Sequence, residues 1–130
     1  MRQTPEQIRA RAALEALALK DASPFEDFAT ACKKTSSRIL TSGLLPALAF
    51  LNAKRDSGEG KKNGPVHDAV TKYLDDRGLV PRGNGEIVAR FCNAATATQL
   101  RRAQAEALAY LDWLARFAEA RAIAAEKGPR

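Results

Sequence analysis

From Ala97 to Glu126 the chain keeps apolar side chains at helical spacing for thirty consecutive residues. At 1.5 Å per residue such a helix runs about 45 Å, more than the width of a small domain. Leu100, Ala103, Ala107, Leu111, Leu114 and Ala118 fall on one stripe. Tyr110, Trp113 and Phe117 lie beside it and widen the apolar arc, while Arg102, Glu106, Asp112, Arg116 and Glu119 are expected on the other side. A helix this long with so wide an arc must be covered on two sides, by several helices or by another chain.

Composition agrees. The 130 residues include 26 Ala and 14 Leu against 4 Val and 4 Ile, which favours helix over strand. The expected fold is all-α: a compact bundle of five to six helices with a long C-terminal helix, in a single domain covering 1–130. Three helix starts can be read directly. Thr4-Pro5-Glu6-Gln7, Ser23-Pro24-Phe25-Glu26 and Thr96-Ala97-Thr98-Gln99 each set a capping hydroxyl three residues before Gln or Glu. The first helix is expected over 5–20, with Ile8, Ala12, Leu14, Leu17 and Leu19 inward. The second starts at Pro24, with Phe25, Phe28, Cys32, Ile39 and Leu40 inward and Lys33, Lys34 and Arg38 together outside.

That second helix runs into GLLPALAFLNAK, residues 43–54. Gly43 and Pro46 are expected to kink or split it, because proline removes a backbone donor and crowds the preceding turn. Arg55 to Gly64, rich in glycine and without large apolar residues, is expected to be a flexible loop. A further helix from Pro65 to about Arg77, a loop over Val80 to Gly85 and a short helix over Glu86 to Asn93 complete the chain.

The net charge of +6 is uneven: residues 32–62 hold 7 basic and 2 acidic side chains, a net of +5. A local basic excess suits a polyanion such as nucleic acid. Lys33, Lys34, Arg38, Lys54, Arg55, Lys61 and Lys62 are the RNA-binding candidates it yields. Arg101 and Arg102 join them, as a basic pair in a first turn where the helix dipole disfavours cations. Catalytic chemistry is not written here. The one histidine, His67, has no nearby nucleophile at an elbow, Asp75 and Asp76 diverge on a helix, and GEGKKNG lacks phosphate-loop spacing. Neither a metal nor a cofactor is expected. Cys32 and Cys92 read as reduced, buried residues of a cytoplasmic protein, and no segment is long enough to span a bilayer.

PALAFLNAK (Pro46 to Lys54) and EALAYLDWLARFAEA (Glu106 to Ala120) resemble the small helical subunit of the Cmr complex, the RNA-guided type III-B CRISPR effector. The similarity extends along the whole chain, and the tryptophan within L-x-W-L-x-R-F-A-E-A is its most specific part. The resemblance implies a helical, non-catalytic subunit used in antiviral defence. Its copies stack into a filament beside the guide RNA and stabilise the guide RNA–target RNA duplex through sequence-independent contacts. Its implied partners are the other effector subunits, further copies of itself, and the guide and target RNAs. The competing reading is a helical protein–protein adaptor whose basic loop binds an acidic partner.

Overall fold

The helix boundaries are set by local capping. In the computed structural model, which describes residues 2–19, 24–55 and 63–126, Thr4 and Gln7 form a reciprocal box. The Gln7 N–H donates to Thr4 Oγ1 at 3.1 Å, and the Thr4 N–H donates to Gln7 Oε1 at 2.8 Å. Thr96 and Gln99 repeat the motif at the same distances. Each box satisfies backbone donors that a helix start leaves unpaired. The third expected cap, Ser23, lies outside the described residues.

The described residues form six helices and no strand: α1 (Pro5–Leu19), α2 (Phe25–Ser42), α3 (Leu44–Ala53), α4 (Asn63–Asp76), α5 (Ile87–Ala94) and α6 (Ala97–Glu126). This is the all-α bundle with a long C-terminal helix that the sequence calls for. α6 is its axis, and α1, α2 and α4 pack along it. Ala103, Ala107, Leu111, Leu114 and Ala118 are fully buried, so the stripe read from spacing is the one that meets the other helices. α2 runs antiparallel to α6. Arg121 lies over the Phe25 ring, Lys33 pairs with Glu119, and the Leu44 N–H donates to Gln104 Oε1 at 2.9 Å.

The break between α2 and α3 comes from Gly43, whose φ of +97° is disfavoured for any residue with a Cβ. Pro46 does not kink a helix. It sits in the first turn of α3, where its missing donor would have had no intrahelical partner, and the first α3 bond is from the Ala47 N–H to the Gly43 carbonyl. Beyond the corner Leu44, Ala47, Leu48 and Leu51 are buried. α4 stops with a six-to-one bond from the Leu79 N–H to the Leu74 carbonyl and a second from the Gly78 N–H to the Asp75 carbonyl. Gly78, at φ +69°, supplies the left-handed residue this ending requires.

Several expectations are corrected. Leu40 is 72% exposed and Leu14 is 44% exposed. Ile39 and Thr35 take the inward positions of α2 beside Leu40, and Ala13 and Leu17 take those of α1 beside Leu14. The expected loop over 55–64 is shorter, since Asn63 and Gly64 already belong to α4; residues 56–62 lie outside the described residues. Cys32 is buried as expected, but Cys92 is exposed.

Glu106 is the largest correction. It faces inward between helices, with its side chain 17% exposed, and accepts from Arg9 Nε at 3.0 Å, Arg9 Nη2 at 2.6 Å and the Tyr73 hydroxyl at 2.9 Å. One carboxylate thus ties α1 and α4 to α6. The Arg9 hydrogen bonds hold it well below the usual carboxylate range. The Tyr73 ring also stacks on Tyr110, with centroids 4.3 Å apart and planes within 1°.

Candidate nucleic-acid interface

A sequence-independent RNA contact needs cations held on an ordered surface with their charge available to phosphate. The seven described candidates meet that need unequally. On α2, Lys34 is exposed and has no ion pair among the described residues. Lys33 is also exposed, but its ammonium pairs with Glu119 across the α2–α6 contact. Arg38, one turn after Lys34, is half-buried because its guanidinium lies over the Phe50 ring, 3.6 Å from the centroid. That contact spans the α2–α3 corner and spreads the cation over an aromatic face. The outward trio expected on α2 is therefore one open lysine, one neutralised lysine and one arginine used in packing.

Lys54 and Arg55 follow the end of α3. Lys54 is exposed. Arg55 is held on three sides. Its Nε donates to Asn52 Oδ1 at 3.0 Å, and its Nη2 meets Asp68 Oδ1 at 2.8 Å and His67 Nδ1 at 2.9 Å. The contact to Nδ1 needs the imidazole protonated on Nε2, leaving Nδ1 as acceptor. The Arg55 hydrogen bond draws the Asp68 carboxyl below its usual range. Arg55 accordingly joins the end of α3 to the start of α4, pinning both ends of the basic segment between them. Lys61 and Lys62 lie outside the described residues.

Arg101 and Arg102 are both exposed, and Arg101 Nη2 reaches Thr98 Oγ1 at 3.4 Å. Neighbours on a helix point about 100° apart, so the two do not act as a pair. Arg101 shares its side of α6 with Gln104, the residue that bonds Leu44 at the α2–α3 corner. Arg102 lies one turn before Glu106, which meets Arg9 of α1.

The role of Arg9 in tying α1 to α6 was not legible in the sequence. A cation one turn after a helix start gives no hint of a carboxylate 97 residues away. Two concave surfaces were likewise unforeseen. One, of about 450 Å³, lies between α1 and α4 with Tyr110 of α6 among its lining residues. The other, of about 570 Å³, lies between α2 and α6 and includes Lys33 and Leu40. Among the described residues no group of three or more His, Cys, Asp or Glu side chains is placed to hold a metal ion, and no helix is long and apolar enough to cross a membrane.

A family model described as CRISPR-associated protein (Cas_Cmr5) matches residues 5–121, nearly the whole described chain. No curated protein matches it.

Proposed function

The chain belongs to the Cas_Cmr5 family of CRISPR-associated proteins, and from that premise we propose that it is a non-catalytic small subunit of an RNA-guided type III-B effector. In this reading several copies stack beside the guide RNA, and their cations hold the guide–target duplex by its backbone. Base pairing supplies the sequence specificity, so the protein needs charge at fixed positions and no base readers. The observation that carries the RNA part is the net +5 over residues 32–62. Lys34 and Lys54 are exposed cations of that segment, and Arg101 is an exposed cation at the start of α6. Arg38 and Arg55 support the site by shaping the corner and the base of the basic segment.

Two experiments test this. The first purifies the tagged chain from its host under mild conditions; recovery of other effector subunits with guide RNA supports the assignment, and their absence ends it. The second replaces Lys34, Lys61 and Lys62 by Glu, singly, and measures target-RNA binding by the assembled complex across a salt series. For every phosphate that a variant no longer neutralises, the log–log salt slope falls by roughly 0.7 to 0.9. Unchanged slopes in all three would remove these positions from the RNA path.

A further inference from the structure

The chain leaves α3 at Arg55 and enters α4 at Asn63, and the two ends are tied by Arg55, His67 and Asp68. Arg55 lies flat on the first turn of α4. Its Cβ comes within 3.5 Å, and its Nη1 within 3.8 Å, of the place a Cβ on the buried Gly64 would take. From there Nη2 reaches Asp68 Oδ1 at 2.8 Å and His67 Nδ1 at 2.9 Å. The imidazole is mostly enclosed, with 15% of its side chain exposed, whereas Asp68 stands in solvent. Two acceptors thus share one guanidinium nitrogen, and the remaining side of the triangle, His67 Nδ1 to Asp68 Oδ1, measures 3.5 Å.

A change of pH acts on these groups differently. Arginine keeps its charge in proteins and has no acceptor. Arg55, with His67 adding to it, draws the Asp68 carboxyl below its usual range, so Asp68 stays an anion where histidine titrates. Histidine is the side chain whose charge ordinarily changes between about pH 5 and 8. The Arg55 contact requires the neutral ring to carry its hydrogen on Nε2, so a proton taken from water enters at Nδ1. Nδ1–H then points at Nη2–H, donor against donor and cation against cation at 2.9 Å. Asp68 Oδ1 is the acceptor it can turn to.

Among the described residues, Arg55 and Asp68 are the charged groups in contact with the ring. Lys54, beside Arg55, is exposed, and α3 itself has no titratable side chain from Leu44 to Ala53. On α4, Lys72 pairs with Asp76 and Asp75 with Arg90. α2 and α6 also pack against α4, but Arg38 lies over Phe50, Lys33 pairs with Glu119, and Glu106 is held by Arg9 and Tyr73.

We propose that Arg55, His67 and Asp68 form a proton-operated clasp between α3 and α4: neutral His67 holds Arg55 in place, and protonated His67 takes Asp68 as its partner and lets the guanidinium swing out. In acid the joint gains one charge on the imidazole and releases a second on Arg55. The consequence for RNA, a joint with two more cations to offer phosphate, rests on the function proposed above; the clasp itself does not.

The test is nuclear magnetic resonance of the full chain from about pH 7.5 down to about pH 5. At the upper end the ring-nitrogen shifts of His67 are expected to report the Nε2–H tautomer. As the ring gains its proton, the Arg55 Nε–H signal is expected to move in step with it. Its protection against solvent exchange, relative to exposed Arg102, is expected to fall about two- to tenfold, the worth of one net hydrogen bond. His67→Gln offers an amide oxygen that does not titrate, so in that variant the Arg55 signal is expected to stay in place across the range. An Nδ1–H tautomer at the upper end, or an Arg55 signal indifferent to the titration of the ring, would overturn the clasp, and both are read from the wild type alone. The same movement in a folded His67→Gln would overturn it too. The RNA consequence is read separately, from the salt slope of target-RNA binding by the assembled complex at about pH 5.5 and about pH 7.5. The wild type is expected to be steeper in acid by roughly 0.7 to 0.9 for each cation that reaches a phosphate, and His67→Gln to lose that difference. Equal slopes beside a working clasp would overturn the link to RNA alone. A complex that bound no RNA at either pH would overturn the proposed function and not the clasp.

Discussion

Replacing Glu106 by Gln should be the most damaging single change that alters no apolar volume. The carboxylate accepts three hydrogen bonds, two from Arg9 and one from Tyr73. A hydrogen bond to a charged group contributes about 1.5–3 kcal/mol net, but three on one carboxylate are not additive. The Arg9 side chain keeps 26% of its surface exposed and can recover water when its partner loses charge. Breaking a buried pair costs about 3–5 kcal/mol and an exposed pair about 0–1 kcal/mol, which places this half-buried one near 2 kcal/mol. At this chain length that lowers Tm by roughly 6–12 °C. Urea denaturation of Arg9→Met, Glu106→Gln and the double variant should give a coupling energy of about 1–2 kcal/mol. The pH dependence follows from the lowered Glu106 value. A carboxyl whose folded value is depressed stabilises the protein above its ordinary value of 4.5, and that contribution is lost as pH falls through the folded value. The wild type should therefore lose its advantage over Glu106→Gln in acid and keep it near neutrality. A coupling energy within error of zero, or a difference between the two proteins that does not change with pH, would refute the account of Glu106 as the tie between α1, α4 and α6.

Other substitutions test separate parts of the structure. Gly43→Ala should cost about 1–2 kcal/mol in chemical denaturation, because φ +97° disfavours a Cβ; no loss would mean the corner relaxes to another backbone. Thr96→Ala removes one capping box and should cost about 0.5–2 kcal/mol, whereas Thr98→Ala, inside the first turn, should cost less. Arg55→Gln should leave the salt slope of RNA binding nearly unchanged while raising protease sensitivity near residues 56–62, as expected of a side chain that pins the segment; a slope change worth a full phosphate would instead make Arg55 an RNA ligand.

Helices were legible because their signals are local. The capping boxes at Thr4 and Thr96, the glycine before Leu44 and the thirty-residue apolar stripe each act within a few residues, and all of them place boundaries that the structure reproduces. The basic excess was legible too, since charge can be counted without knowing the fold. Side-chain assignments failed where a position lies at the margin of a helical face. Leu40 and Ile39 are adjacent, both apolar and about 100° apart, so periodicity alone cannot say which turns inward. The same ambiguity misplaced Leu14 and put Glu106 in solvent.

The amino-acid sequence by itself determined that this chain is helical, that capping boxes start α1 and α6 and a glycine parts α2 from α3, and which segment concentrates positive charge, because backbone capping, residue propensity and formal charge depend on near neighbours. Only the tertiary structure decided that Arg38 packs on Phe50, that Arg55 binds Asp68 and that Lys33 is neutralised by Glu119. It also decided that Tyr110 is buried while Leu40 stands out in solvent. Whether a cation is available to a phosphate, or an apolar side chain to a partner, depends on what lies within about 4 Å of it. Those neighbours come from helices distant in sequence.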